Sequence, residues 1–358
     1  MGADVYSLYG VVDAVAHEYE FGNGDHMASS RTPLDWFYYQ VGMHTFRAFA
    51  QGKATWILNY SWDGDKVVDR SEAMMNLAMS QVMAGANFWD APGHSMAGSN
   101  DLATRKKIFS WIKQNEKTFY LPRSPIHPVG VYFSPQTRNY YADDFLRSYR
   151  GILLLLMQSH REFQIVTPRT LDEFRGEALV LPDVRILSSN ERAGLEKYTA
   201  GGRKLIITGN DPLAVDKEKN DNPKNVSHFP TCSGKAYVAS LEADFDRATP
   251  QMQQAFLDSL PGADVEISAS PKVATSIARV NGETHVFLAN FAGLVGGKNP
   301  VQTPQTVTIS VRNASGSSAY FLPFLGNLQK LEGISKQGTV SFTLPPISKG
   351  AVFWVQAD

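Results

Sequence analysis

The sequence predicts an α/β protein with an all-β region at its C-terminal end. Three observations carry this. Residues 1–120 alternate short apolar runs with amphipathic segments. After a Pro-rich stretch the alternation starts again at Val129. From about Val273 helical periodicity stops, and short β-rich runs separated by Gly, Asn, Ser and Pro take over.

In the first block, Val11 to Phe21 reads as a strand that ends in polar residues. Thr32-Pro33-Leu34-Asp35 reads as a helix start: a hydroxyl cap, a proline suited to the first turn, and a carboxylate facing free N–H groups. Leu34, Phe37, Tyr38 and Val41 follow at helical spacing, and Gly52 closes the segment. Ala54 to Tyr60 is a second strand and Ser71 to Ala84 a second helix, with Met75, Ala78, Met79 and Val82 on one face. Gly85 to Trp89 is a third strand. Leu102 to Gln114 is a third helix, burying Ile108, Trp111 and Ile112 and leaving Arg105, Lys106 and Lys107 to solvent. Three strand–helix units predict a parallel sheet, but closing a barrel takes about eight. The block is a partial (β/α) barrel, spanning 1–121.

Pro122 to Pro128 reads as a linker. The second domain, 122–268, is a doubly wound, flavodoxin-like α/β block. Its strands are Val129–Phe133, Phe163–Val166, Ala178–Leu181 and Lys204–Thr208. Its helices are Asp143–His160, Glu191–Ala200 and Pro250–Ser259, the second ending at the C-cap Gly201-Gly202. Residues 211–235 read as irregular. The third domain, 269–358, is an antiparallel β-sandwich with strands near Thr284–Ala289, Gln305–Val311, Ala319–Pro323, Thr339–Leu344 and Ala351–Gln356.

Composition narrows the function. Of 358 residues, 43% are hydrophobic and 19% charged, which excludes a disordered chain. Lys+Arg is 34 and Asp+Glu 35, a net charge of −1, which argues against nucleic acid as a partner. The longest aliphatic run, Ile152 to Met157, is far short of the roughly 20 residues of a membrane span. A membrane partner is not expected. The single cysteine, Cys232, permits no intrachain disulfide, and Thr231-Cys232-Ser233-Gly234 is no nucleophile elbow. With no leader at Met1, the chain as it stands reads as cytoplasmic; a fragment of a longer precursor could be secreted.

Parallel α/β sheets place chemistry in the loops after the strands. The first block sets polar residues there: His17-Glu18-Tyr19-Glu20 and Asp25-His26, then Asn59, Trp62, Asp63 and Asp65, then Asp90 and His94. Carboxylates beside Trp suit a sugar site, where indoles stack on pyranose rings and two carboxyl groups divide the acid and nucleophile or base roles. Glu18, Glu20 and Asp90 are the catalytic candidates; His17, Asn59, Trp62, Trp89 and His94 are the substrate-binding candidates. Each has a structural alternative: solvated strand ends, a loop-capping Asp90, a hydrogen-bonded His17 or His94, core indoles at Trp62 and Trp89. His17, Asp25 and His26 match no metal-ligand spacing, and no phosphate-cradling glycine loop occurs. No metal and no cofactor are expected.

Met83-Ala84-Gly85-Ala86-Asn87-Phe88-Trp89-Asp90, the Pro-rich joint, the opening Val129-Gly130-Val131-Tyr132-Phe133-Ser134 and the closing sandwich together resemble the C-terminal half of a family 42 glycoside hydrolase, the trimeric β-galactosidase type, or a related putative glycosidase. The resemblance implies that the middle block is like a trimerisation domain, related to class I glutamine amidotransferases without their cysteine. It implies final barrel strands ending at Glu18 and Glu20, at Asn59, and at Asp90. The family's acid/base Glu lies on a strand this block lacks. Trp56-Ile57-Leu58-Asn59-Tyr60, aligned with its nucleophile strand, holds no carboxylate. The expected activity is hydrolysis of a β-linked glycoside. The alternatives are a non-catalytic carbohydrate-binding or assembly module and, less favoured, an amidotransferase-like enzyme using Cys232. An incomplete barrel leaves an unpaired apolar edge, so a homo-oligomer, dimer or trimer, is expected.

Overall fold

A computed structural model describes residues 4–18, 32–60, 69–91, 101–208, 226–229, 250–296, 298–314 and 316–356. Its contacts divide the chain into two compact units, 1–126 with 264–358, and 127–263. The region expected as a third domain thus shares a unit with the first.

In chain order the first unit opens with α1 (Val5–Leu8), β1 (Val15–Glu18), α2 (Pro33–Ala50), β2 (Thr55–Tyr60), α3 (Arg70–Ala84), β3 (Asn87–Ala91), α4 (Leu102–Gln114), α5 (Glu116–Tyr120) and β4 (Arg123–Ser124). Strands β1, β2 and β3 form an open parallel sheet in that order. The caps explain the helix bounds. Thr32 and Asp35 form a reciprocal capping box, the Asp35 carboxylate accepting from Thr32 N at 2.9 Å. Asp69 caps α3 by accepting from Glu72 N at 2.9 Å. Helix α2 stops at Gln51 and Gly52, both left-handed at φ 48° and 87°.

The second unit holds β5 (Val129–Tyr132), α6 (Pro135–Tyr140), α7 (Ala142–Gln158), β6 (Phe163–Val166), β7 (Ala178–Pro182), α8 (Ser189–Ala200), β8 (Lys204–Thr208), β9 (Val226–Phe229) and a last helix, Pro250–Asp258. Its sheet is parallel, in the order β6-β5-β7-β8-β9. Helix α6 was not read from the sequence. It is short, and it is set by Ser134, whose hydroxyl accepts from Thr137 N. The expected irregular stretch 211–235 lies outside the described residues except at β9, and Cys232 lies outside them altogether.

The chain then returns to the first unit with β10 (Val265–Ser268), β11 (Val273–Val280), β12 (Glu283–Asn290), β13 (Thr308–Arg312), β14 (Ser318–Pro323), β15 (Gln329–Glu332), β16 (Ile334–Lys336), β17 (Thr339–Thr343) and β18 (Gly350–Val355). These make a sandwich of a four-stranded sheet, β10-β13-β17-β16, and a six-stranded sheet, β15-β14-β18-β12-β11-β4. Its core includes Val286, Leu288, Ile309, Phe321, Phe342 and Phe353. The Pro-rich stretch is not only a linker, because Arg123 and Ser124 pair antiparallel with Val280 and Arg279. Prolines fit there, since an edge strand tolerates their missing N–H.

Helix α3 packs on β12 and β18, which joins the strand–helix block to the sandwich. Gly350 permits the approach: a Cβ there would lie 2.8 Å from both Met79 Cγ and Leu288 O. Trp36 stacks on Phe291 at 5.7 Å, and Trp111 Nε1 donates to Gly326 O at 2.9 Å. Lys349, largely buried, binds the Glu72 carboxylate, Asn76 Oδ1 at 2.9 Å and Gln302 Oε1 at 3.0 Å. Burial draws its pKa down although Glu72 opposes the shift. The carbonyl end of α3 receives two guanidiniums. Arg123 donates to Val82 O at 3.0 Å and Met83 O at 2.9 Å, and Arg47 to Ala84 O at 2.7 Å. Cations at a helix C-terminus are favourable. They replace solvent there just before β3 begins.

Candidate functional site

The candidate site is built on β1, β2 and β3. Backbone register sets its rows. Ala16 aligns with Trp56, and Trp56 with Asn87; His17 aligns with Ile57, and Ile57 with Phe88; Glu18 aligns with Leu58, and Leu58 with Trp89. Asn59 and Asp90 share the next row. Successive rows of a sheet alternate between its faces.

The two faces differ sharply. The row of Ile57 is packed: Ile57 is buried and His17 nearly so. The His17 ring stacks on Phe46 of α2 at 3.8 Å, and its Nε2 is hydrogen-bonded to the Tyr9 hydroxyl at 2.9 Å. Burial lowers its pKa to about 4, so it is neutral near pH 7. On the other face stand Trp56, 46% exposed, and Trp89, 40% exposed, with ring centroids 6.1 Å apart and planes at 80°. Large aromatics on a strand are ordinarily covered, so a half-bare indole pair is a surface able to accept a flat apolar partner.

The helices fix this pair from behind. Gln81 of α3, fully buried, donates from Nε2 to Ile57 O at 3.0 Å and to the Tyr39 hydroxyl at 2.6 Å. Its Oε1 accepts from Trp89 N at 3.2 Å. Asn87 Oδ1 accepts from Thr55 N at 3.0 Å, a further side-chain tie between β2 and β3. Near the C-terminal end of α3, burial lowers the His44 pKa to about 3, with Arg47 and Arg123 adding to the effect.

Among the sequence-predicted residues, Glu18, Asn59 and Asp90 occupy the C-terminal parts of the three strands, and Trp89 stands in the row of Glu18. His17 belongs to the packed face. Glu20, Trp62 and His94 lie outside the described residues, as do Asp25, His26, Asp63 and Asp65. The sequence reading missed Trp56. The signal was available in the alternation Thr55, Trp56, Ile57, whose buried members flank the exposed one. Among the described residues no group of three His, Cys, Asp or Glu is arranged to hold a metal, and no helix is long and apolar enough to cross a membrane. A cavity of about 250 Å³ lies instead in the sandwich, lined by Asp264, Arg279, Glu283, Arg312 and Asn313 among others, and it includes none of the predicted site residues.

No family model matches the chain, and no curated protein matches it. Solved structures do. The α-L-fucosidase isoenzyme 2 from Paenibacillus thiaminolyticus aligns with a TM-score of 0.63 at 12% identity, covering 91% of this chain and 62% of that one. Gan42B, a GH42 β-galactosidase from G. stearothermophilus, aligns at 0.61 and 10% identity, covering 98% and 61%. A β-galactosidase from Bacillus circulans sp. alkalophilus aligns at 0.58 and 11%, covering 99% and 62%. The likeness is one of fold, and the chain spans about three fifths of the length of these structures. The resemblance to family 42 glycosidases seen in the order of blocks is therefore present in the structure, with, among the described residues, an open three-stranded sheet where the strand–helix units lie.

Proposed function

We propose that this chain binds a β-linked glycoside, of the β-galactoside or β-glucoside kind, on the Trp56–Trp89 face and hydrolyses it with carboxyl groups at the strand ends. The exposed indole pair carries the reading: pyranose C–H faces pack on such rings, and the shared fold is that of glycosidases. Glu18 is the carboxylate whose register row contains Trp89. In this reading it protonates the leaving oxygen, and a second carboxylate, from Glu20 or Asp90, attacks the anomeric carbon or activates water. The test is turnover of 4-nitrophenyl β-glycosides by the wild type and by Glu18→Gln, Glu20→Gln and Asp90→Asn. Wild-type rates in all three variants would remove the mechanism.

A second reading, recognition without turnover, is favoured by one observation. Glu18 and Asp90 stand in register rows of opposite parity. Glycoside binding with no hydrolysis on a broad panel would establish it. We also read the unit 127–263 as flavodoxin-like, because its first strand lies between its second and third; an experimental structure with another strand order would overturn that. Finally, among the described residues β1 and β3 are the edges of the sheet, and we propose that a second copy covers one of them in a homo-oligomer. Light scattering at micromolar concentration that reports one copy per particle would refute this.

A further inference from the structure

We infer that Gln81 is a positioning residue for glycoside recognition: its buried amide sets the spacing of the Trp56 and Trp89 strands and thereby the geometry of the indole pair. The inference rests on the sugar-platform reading above. One end of the amide holds β2 at Ile57 O, next in sequence to Trp56, and the other holds β3 at the N–H of Trp89 itself. The orientation of the amide is dictated by its partners. A carbonyl can only accept and a backbone N–H can only donate, so Nε2 must face Ile57 O and Oε1 must face Trp89 N. Tyr39 of α2 fixes the same Nε2 at 2.6 Å, which ties the amide to a second helix. None of these atoms reaches the exposed face. Gln81 therefore acts on a bound sugar only through the two rings, whose centroids stand 6.1 Å apart.

The experiment compares Gln81→Leu and Gln81→Met with the wild type, Trp56→Phe, Trp89→Phe and Leu77→Ala. Leu77 is a buried residue of the same helix and serves as a control for general destabilisation. Two quantities are read on the full chain. The first is the near-ultraviolet circular dichroism attributable to the ring pair, defined by the difference between wild type and Trp89→Phe. The second is the affinity for 4-nitrophenyl β-galactoside and β-glucoside. Both Gln81 variants are expected to reproduce most of the Trp89→Phe spectral difference and to weaken binding about tenfold, equivalent to about 1.4 kcal/mol. Leu77→Ala is expected to lower Tm while keeping the spectrum and the affinity. Gln81 variants with wild-type spectrum and affinity would overturn the inference, as would Leu77→Ala variants that lose both equally. If Trp56→Phe and Trp89→Phe leave binding unchanged, the platform reading itself fails; the spectral arm then still decides whether Gln81 sets the rings.

Discussion

Removing either indole should weaken glycoside binding by about an order of magnitude, and the size of the effect follows from exposure. A tryptophan side chain presents up to about 250 Å². Trp56 is 46% and Trp89 40% exposed, so roughly 100 Å² of each remains open. At about 25 cal/mol per Å², complete cover of that area would contribute about 2.5 kcal/mol per ring. One pyranose face hides about half of it, which leaves about 1.3 kcal/mol, close to tenfold in Kd. The rings touch edge to face, so Trp56→Ala and Trp89→Ala should not add in the double variant. The buried part of each ring also stabilises the sheet, so binding must be measured by calorimetry at a temperature where every variant is folded. Single variants that bind as tightly as the wild type would refute the reasoning. So would indoles in the free protein that a solute quencher cannot reach, because that would mean the face is already sealed.

Two further outcomes concern stability. Burial lowers the pKa of His17 and of His285, which stacks on Trp354 at 5.2 Å, to about 4 each. Their unfolded pKa of about 6.5 is higher, so the unfolded state binds more protons below that pH. Stability is thus fully present above about pH 6.5 and lost as pH falls toward 4; urea midpoints should fall over this window, less steeply in His285→Phe, and a flat profile would contradict the burial. Lys349→Met strands the Glu72 carboxylate against Asn76 and Gln302 and should cost about 3 kcal/mol by urea unfolding, most of it restored by adding Glu72→Leu; an unchanged midpoint in Lys349→Met would show that the network contributes nothing.

Much of the fold was legible because local signals and tertiary demands agree. Helix α4 runs from Leu102 to Gln114 as its charge pattern predicts, with Asp101 capping it and Ile108, Trp111 and Ile112 buried. Thr32 and Asp35 start α2 as their spacing predicts. What escaped notice lacked local periodicity. Strand β4 is two residues long and exists only because β11 pairs with it. Strands β15 and β16 are exposed on nearly every residue, so no alternation marks them. At the candidate site the residue types were legible, but the rows were not. Nothing in the sequence states that Glu18 aligns through Leu58 with Trp89, or that Trp56 turns outward. Register is a property of the assembled sheet, set here in part by Gln81, which bridges β2 and β3 from α3, and by the side chain of Asn87, which ties β3 to Thr55 of β2.

Register also ranks the carboxylates. Two carboxyl groups working on one glycosidic bond must approach it from the same cavity, within about 10 Å of each other. Rows one residue apart alternate faces, and Glu18 and Asp90 are separated by one row. A catalytic pair on the tryptophan face therefore draws Glu18 together with a carboxylate carried by a loop, where strand parity no longer applies, in preference to Asp90. The amide series should then be unequal. Glu18→Gln should lower turnover by about 100-fold or more, the usual scale for a lost general acid. Asp90→Asn should stay within about tenfold of the wild type, acting through the strand end and not through the bond being cleaved. Initial rates at saturating substrate separate the two, since a loss confined to KM would mark a binding role. If Asp90→Asn abolishes turnover and Glu18→Gln does not, the reactive face is the opposite one, and the tryptophan pair is not the sugar platform.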